Sequence, residues 1–93
     1  MIRSFRDKRT EAVWEGRLPK GFPADIAQVA RRKLRMLNAA SVLSDLRAPP
    51  ANRLEALKGD RAGQHSIRIN DQFRICFVFV RGDAEDVEIT DYH

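Results

Sequence analysis

Residues 64–80 alternate apolar and polar side chains on both sides of a short polar segment, Asn70–Gln72. Alternation with a period of two, interrupted by turn-forming residues, predicts a β-hairpin. A three-residue loop would place Ile67 opposite Ile75, and all the large apolar side chains would then share one face of the sheet.

The same register places Arg68 directly opposite Arg74 on the second face of the hairpin. Two like charges in this position repel and destabilise a sheet. We therefore expect this face to meet solvent, a nearby acid or an anionic partner, and to remain open.

The 93 residues suit a single domain spanning positions 1–93. Lys and Arg total 17 against 13 Asp and Glu, a net charge of +4 that permits binding to nucleic acid or to an acidic protein without requiring either. The lone cysteine, Cys76, cannot form an internal disulfide, and the first residues are not an apolar leader. We therefore expect a cytoplasmic protein in which Cys76 is a packing residue.

The segments that flank the hairpin divide into helices before it and strands around it. We predict a first strand over residues 2–5, a short helix that starts near Ser4–Asp7 and ends at Gly16, and a second helix over about 23–39. Further strands are predicted over 53–57 and 86–90. This order predicts an α+β fold, with two N-terminal helices packed on one face of a small mixed, mainly antiparallel sheet.

The second predicted helix carries a dense basic run, Arg31-Arg32-Lys33 followed by Arg35. Such a run is often a solvated helix face. It also suits contact with RNA or with an acidic protein partner. Our candidates for RNA binding are Arg31, Arg32, Arg35 and Arg68.

Polar groups at the predicted strand ends and on the open face of the hairpin supply candidates for chemistry: Lys58, Arg74, Asp91, Tyr92 and His93. Lys and Arg neutralise phosphate, His transfers protons near neutral pH, and Tyr stacks on a base. This set suits RNA cleavage by the RNA's own 2′-hydroxyl, although Asp91-Tyr92-His93 is equally consistent with a solvated chain end. Two histidines and no paired cysteines are too few for a zinc site, and we expect no metal and no cofactor.

Three stretches together resemble the HigB-type toxins, the plasmid maintenance system killer branch of the RelE/ParE superfamily. Residues 52–63 read Asn-Arg-Leu-Glu-Ala-Leu-Lys-Gly-Asp-Arg-Ala-Gly, and residues 66–75 read Ser-Ile-Arg-Ile-Asn-Asp-Gln-Phe-Arg-Ile. Asp91-Tyr92-His93 completes the pattern, and the resemblance covers essentially the whole chain.

The resemblance implies an endoribonuclease that enters the ribosomal A site and cuts messenger RNA during translation. It also implies a HigA-like helix-turn-helix antitoxin that neutralises the toxin. Operator DNA is then bound only through the antitoxin. By motif, Lys58, Arg74, Asp91, Tyr92 and His93 match the positions expected to act on the RNA.

One position departs from the pattern, because some relatives place a histidine where this chain has Glu55. A carboxylate cannot supply a cationic imidazole, so Glu55 is a base, a spectator or a sign of weaker cleavage. The superfamily also contains ParE-type inhibitors of DNA gyrase, which leaves a non-enzymatic toxin as the alternative function.

Overall fold

The computed structural model describes residues 1–91 and has two helices packed against one face of a sheet. The sheet has four antiparallel strands in the order β1-β2-β3-β4. The helices are α1 (Lys8–Trp14) and α2 (Ala24–Ala39), and the strands are β1 (Glu55–Ala56), β2 (His65–Arg68), β3 (Phe73–Val80) and β4 (Asp83–Asp91). The predicted α+β fold is confirmed, with β1 shorter and β4 longer than expected.

The central hairpin has the register that its alternation predicts. Ile67 pairs with Ile75 and Arg68 pairs with Arg74 across β2 and β3. Asn70 forms the turn, because its Oδ1 accepts hydrogen bonds from the backbone N–H groups of Gln72 (2.9 Å) and Phe73 (2.7 Å). An asparagine side chain that binds its own turn in this way fixes the loop length and hence the register.

The N-terminal segment differs from the predicted strand and helix start. Ile2 and Phe5 form isolated parallel bridges to Ala84 and Val87 of β4, so the parallel pairing comes from two bridges and not from a full strand. Asp7, and not Ser4, caps α1 by accepting a hydrogen bond from the Thr10 N–H at 2.7 Å. The Ser4 hydroxyl instead accepts a hydrogen bond from the Asp86 N–H.

The main core lies between α2 and the sheet face that carries Ile67. Ala30, Leu34 and Leu37 of α2 are fully buried there, together with Ile75 and Phe77 of β3. This is the apolar helix face that the sequence predicts. Among residues 1–91, no helix is long and apolar enough to cross a membrane.

Lys33 is an exception to the predicted exposure of the basic run, because only 8% of it is accessible. Its ammonium donates a hydrogen bond to Oδ1 of Asn52, a fully buried residue. The Asn52 amide nitrogen donates in turn to the carbonyls of Leu46 and Ala48, both at 3.2 Å. Lys33 is therefore a buried link between α2 and the connection that follows it, and not part of a solvated face.

The second sheet face is not open, contrary to the prediction. Ser66 and Cys76, which pair across β2 and β3, are both fully buried on it. Arg74 lies over the sheet with only 11% of its side chain accessible, and Arg61 donates to the Glu88 carboxylate at 3.1 Å. Ser66 and Cys76 on this face are thus shielded from solvent.

Candidate active site

Arg74 is held by hydrogen bonds on the second sheet face. Its Nε donates a hydrogen bond to the Ser66 hydroxyl, and its Nη2 donates to the backbone carbonyl of Arg53, both at 2.7 Å. The Arg53 backbone has a φ of 44°, in the left-handed region that few non-glycine residues adopt. These short bonds, one to β2 and one to the segment before β1, fix the guanidinium in place before any ligand binds.

Glu55 is the carboxylate beside this guanidinium. Its Oε1 lies 3.7 Å from Nη2 of Arg74, and half of its side chain is accessible. Glu55 pairs with Ser66 across β1 and β2, which places it on the same face as Arg74. Glu55, which stands where some relatives have a histidine, therefore lies at the centre of the candidate site.

The register separates Asp91 from Arg74. Asp91 pairs with Phe73, whereas Arg74 pairs with Thr90, so the two predicted catalytic residues start on opposite faces of the sheet. Gln72 donates from its Nε2 to Oδ2 of Asp91 at 3.0 Å. Tyr92 and His93, the other two candidates at this end of the chain, lie outside the described residues.

Lys58 is exposed and immediately precedes the short turn Gly59–Arg61. It follows β1, on the same edge of the sheet as Glu55. Within residues 1–91 its ammonium has no hydrogen bond or ion pair, so it is available to an anion arriving at this edge.

Arg68, a predicted RNA contact, is engaged locally. Its Nη2 forms an ion pair with Oδ1 of Asp71 in the hairpin turn. Arg74 has Glu55 beside it. Arg68 and Arg74, which face each other across the hairpin, thus each have an acidic side chain nearby. This is one of the three arrangements that the like-charge pair predicted.

The other predicted RNA contacts, Arg31, Arg32 and Arg35, lie together on the helical side of the molecule. With Arg17 they line a groove of about 460 Å³ between the end of α1 and α2. No carboxylate lines this groove among residues 1–91, and the Arg31 Nε is buried there without a hydrogen-bond partner in that part of the chain. The structure does not bring this groove together with Arg74, because α2 covers the opposite sheet face.

Cys76 lies beneath the site without contributing reactivity to it. Burial raises the pKa of its thiol, so the sulfur stays protonated and a poor nucleophile. Within residues 1–91, no group of three or more His, Cys, Asp or Glu side chains is arranged to hold a metal ion.

Two residues that contribute to the site carried no recognisable signal in the sequence. Ser66 is only a polar position in the alternation, and Arg53 contributes its backbone carbonyl, which any residue has. Residue type does not indicate either contact, because the Ser66 contact depends on the pairing of β2 with β3 and the Arg53 contact on where the segment before β1 lies.

Comparison with known proteins identifies related toxins. A family model described as a RelE-like toxin of the type II toxin–antitoxin system HigB matches residues 3–93. The chain is 42% identical over 85 residues to Toxin HigB-1 of Vibrio cholerae serotype O1, covering 90% of each protein. It is 33% identical over 93 residues to Endoribonuclease HigB of Proteus vulgaris, covering 100% of both.

Solved structures show the same fold at low sequence identity. A chain of the heterotetrameric YoeB–YefM toxin–antitoxin complex from Staphylococcus aureus superposes with a TM-score of 0.56 and 16% identity. The match covers 100% of this chain and 98% of that one. At this identity the similarity is evidence for the arrangement of helices and sheet alone.

Proposed function

This chain belongs to the HigB-like family of RelE-like toxins of type II toxin–antitoxin systems, and on that premise we propose how it cuts RNA. It is an endoribonuclease toxin, as its family and its relative in Proteus vulgaris indicate. The substrate we propose is messenger RNA held in the ribosomal A site during translation, and cleavage there inhibits translation and growth. The observation that carries this proposal is the preorganised Arg74 guanidinium with a carboxylate beside it.

Cleavage begins when the 2′-hydroxyl attacks the adjacent phosphorus in line. The 2′-hydroxyl proton passes to a base, and the P–O5′ bond breaks as the 2′,3′-cyclic phosphate and the 5′-hydroxyl form. Arg74 stabilises the negative charge that develops on the phosphorane oxygens, because its donors are already held in position. Lys58, exposed on the same edge, supplies a second cation.

We assign the base to Glu55, since its Oε1 lies 3.7 Å from the group that holds the phosphate and its side chain is half accessible. His93 donates the proton to the leaving 5′-oxygen. Asp91 orients His93 and is not the base, an assignment supported by the strand register, which sets Asp91 and Arg74 on opposite faces. Tyr92 stacks on a nucleotide.

The groove that carries Arg31, Arg32 and Arg35 contacts RNA phosphates beyond the cleaved bond. Arg68 is a weaker contributor, because it must first leave Asp71. None of these steps requires a metal ion or a cofactor.

The partner is a HigA-like helix-turn-helix antitoxin, and operator DNA is bound only through it. The structural similarity to a chain of a toxin–antitoxin complex supports an antitoxin partner. The ribosomal substrate places the toxin in the cytoplasm. A ParE-like inhibitor of DNA gyrase is not favoured, since the family match is to HigB-like toxins.

The test is to induce the toxin in translating cells and to map RNA 5′ ends. New ends with 5′-hydroxyl groups inside translated codons are expected with wild type, and they should be lost with Lys58→Ala or Arg74→Ala. Growth arrest without new RNA ends, accompanied by DNA breaks, would favour the gyrase alternative. Sequence-specific cutting of naked RNA at the in-cell rate would contradict the requirement for the ribosome.

A further inference from the structure

A cavity of about 580 Å³ adjoins the candidate site at the β1 edge of the sheet. We call it the edge pocket. Its walls come from the two short turns before β1, from β1 itself and from the start of β2, and include Leu43, Arg47, Pro50, Arg53, Glu55 and His65. The volume is in the range of pockets that hold small organic ligands.

The edge pocket and Arg74 share a wall. Glu55 lines the pocket and also lies 3.7 Å from Nη2 of Arg74. Arg53 likewise lines the pocket, while its backbone carbonyl binds the Arg74 guanidinium. The pocket therefore lies directly beside the Arg74 guanidinium.

The charges of the edge pocket suit an anion. Arg47 and Arg53 are exposed, and within residues 1–91 neither side chain has a hydrogen bond or an ion pair. The one carboxylate on the wall among those residues, Glu55, is already beside Arg74. Two guanidinium groups can thus bind a phosphate, and their planar faces also stack on nucleobases.

His65 supplies an aromatic surface in the same pocket. Its ring stacks on the buried Phe77 ring, with centroids 6.4 Å apart and an interplanar angle of 27°, so its orientation is fixed. The Nδ1 atom is buried without a hydrogen-bond partner in the described part of the chain. We assign the other ring nitrogen, Nε2, to the edge of the base.

We propose that the edge pocket binds the nucleotide next to the cleaved phosphodiester, with its phosphate on Arg47 and Arg53 and its base against His65. This inference rests on the proposed function, since it takes single-stranded RNA at Arg74 as its starting point. The edge pocket is a binding subsite. Of the residues assigned to proton transfer, Glu55 lines it.

The test uses the full chain and a short single-stranded RNA that carries the mapped cleavage sequence. A 2′-deoxy substitution at the attacking nucleotide prevents cleavage. The fluorescent base 2-aminopurine replaces the nucleotide on either side of the scissile bond, one position at a time. Binding of wild type should quench the fluorescence at one of the two positions, because a stacked 2-aminopurine is dark.

The informative variant is R47Q/R53Q, and its matched control is K8Q/K20Q, which removes two exposed positive charges elsewhere. We expect R47Q/R53Q to weaken RNA binding about 10-fold or more. The slope of log K against log salt should fall by about 0.7 for each phosphate that the variant no longer neutralises. The control should bind as wild type does. Equally weakened binding in the two variants, or no quenching at either position, would overturn the edge pocket as a nucleotide subsite.

A second measurement separates this inference from the function on which it rests. In translating cells, R47Q/R53Q should still cut, with an altered preference at one nucleotide beside the scissile bond. If R47Q/R53Q cuts with the same rate and nucleotide preference as wild type, the subsite is wrong but the nuclease function is not. A wild type that produces no new RNA ends would overturn the proposed function itself.

Discussion

The Glu55 carboxylate lies 3.7 Å from the guanidinium of Arg74, across strands β1, β2 and β3. The distance is that of an ion pair without a close hydrogen bond, and the hydrogen bonds that anchor Arg74 come from Ser66 and the Arg53 carbonyl instead. Glu55 is therefore not needed to hold Arg74 in place. This leaves its half-accessible carboxylate able to take a proton from a substrate bound at Arg74.

Glu55→Gln should lower the rate of messenger RNA cleavage by about 10²–10⁴-fold, the usual effect of removing a general base. The amide keeps the shape of the side chain, so the free energy of unfolding should change little. A reporter transcript cleaved in a translation reaction measures the rate. Cleavage by Glu55→Gln at the wild-type rate would make Glu55 a spectator.

Glu55→His is the matching functional control, since it installs the imidazole found in some relatives. It should retain cleavage but lose it as the pH falls through the imidazole range, near pKa 6.5. Wild type should not show this loss of activity, because it has no imidazole at position 55. Identical pH profiles for the two proteins would argue against proton transfer at position 55.

Ser66→Ala should lower the cleavage rate without abolishing it, because it removes the short hydrogen bond that Nε of Arg74 donates to the Ser66 hydroxyl. Arg74→Ala should cost more, about 10²–10³-fold, by analogy with the loss of one oxyanion donor. Arg74→Lys should resemble Arg74→Ala, since an ammonium cannot bind both the Ser66 hydroxyl and the Arg53 carbonyl in the same planar geometry.

The measurement is single-turnover cleavage, with thermal unfolding of each variant recorded alongside it. Equal rates for Ser66→Ala and wild type would show that Arg74 needs no anchor on β2. Because Arg74 donates a hydrogen bond to the hydroxyl of the buried Ser66, a modest loss of stability is expected for Arg74→Ala.

His93→Ala should reduce cleavage by about 10²–10⁴-fold if His93 is the general acid. The protein should still fold and still bind its antitoxin, because the role we propose for His93 is proton transfer. Growth after induction, with co-purification of the antitoxin, measures both properties. A folded His93→Ala toxin that arrests growth as wild type does would remove His93 from the mechanism.

Asn52→Ala should destabilise the protein by about 1–3 kcal/mol, because it leaves buried hydrogen-bonding groups without partners. The groups affected are the Lys33 ammonium and the carbonyls of Leu46 and Ala48. Burial already lowers the pKa of Lys33 in the intact protein, so an ammonium without its acceptor is costly. Urea unfolding measures the change, and Gln28→Ala, at an exposed position of α2, is the control and should be nearly neutral.

Asp83 predicts a pH dependence of stability at the start of β4. A hydrogen bond from Arg3, at 3.1 Å, lowers the pKa of its carboxyl below the ordinary value, and the N-terminal ammonium at 3.4 Å acts in the same direction. The folded state then favours the ionised form, so the contribution is present above the unfolded pKa, about 3.9, and is lost as the pH falls through the lower folded value.

Asp83→Asn should therefore flatten the loss of stability below about pH 4 and leave the remainder of the pH profile unchanged. Thermal unfolding of both proteins over a series of acidic pH values measures this. A variant whose stability falls with acid as steeply as that of wild type would show that the Arg3 contact contributes nothing to folding.

The sequence by itself determined the hairpin and its register. Alternation puts Ile67, Ile75 and Phe77 on one face only if the loop has an odd number of residues, and the Asn70 turn fixes its length. The apolar face of α2 was equally readable, because helical spacing leaves a single buried stripe. The family resemblance, carried by three short motifs, supplied the RNA-cleaving function and the residues expected to perform it.

Tertiary structure decided what those residues touch. Lys33 stands in a basic run typical of a solvated face, but the connection after α2 brings Asn52 over it and buries it. Asp91 and Arg74 belong to one predicted catalytic set, but the pairing of β3 with β4 gives them opposite faces. Glu55 became the acid beside Arg74 because β1 pairs with β2, a contact between segments that no local pattern specifies. Local spacing determines which face of a helix or strand a side chain occupies. The residues that the side chain contacts depend on how distant elements pair. The chemistry of this site depends on those contacts.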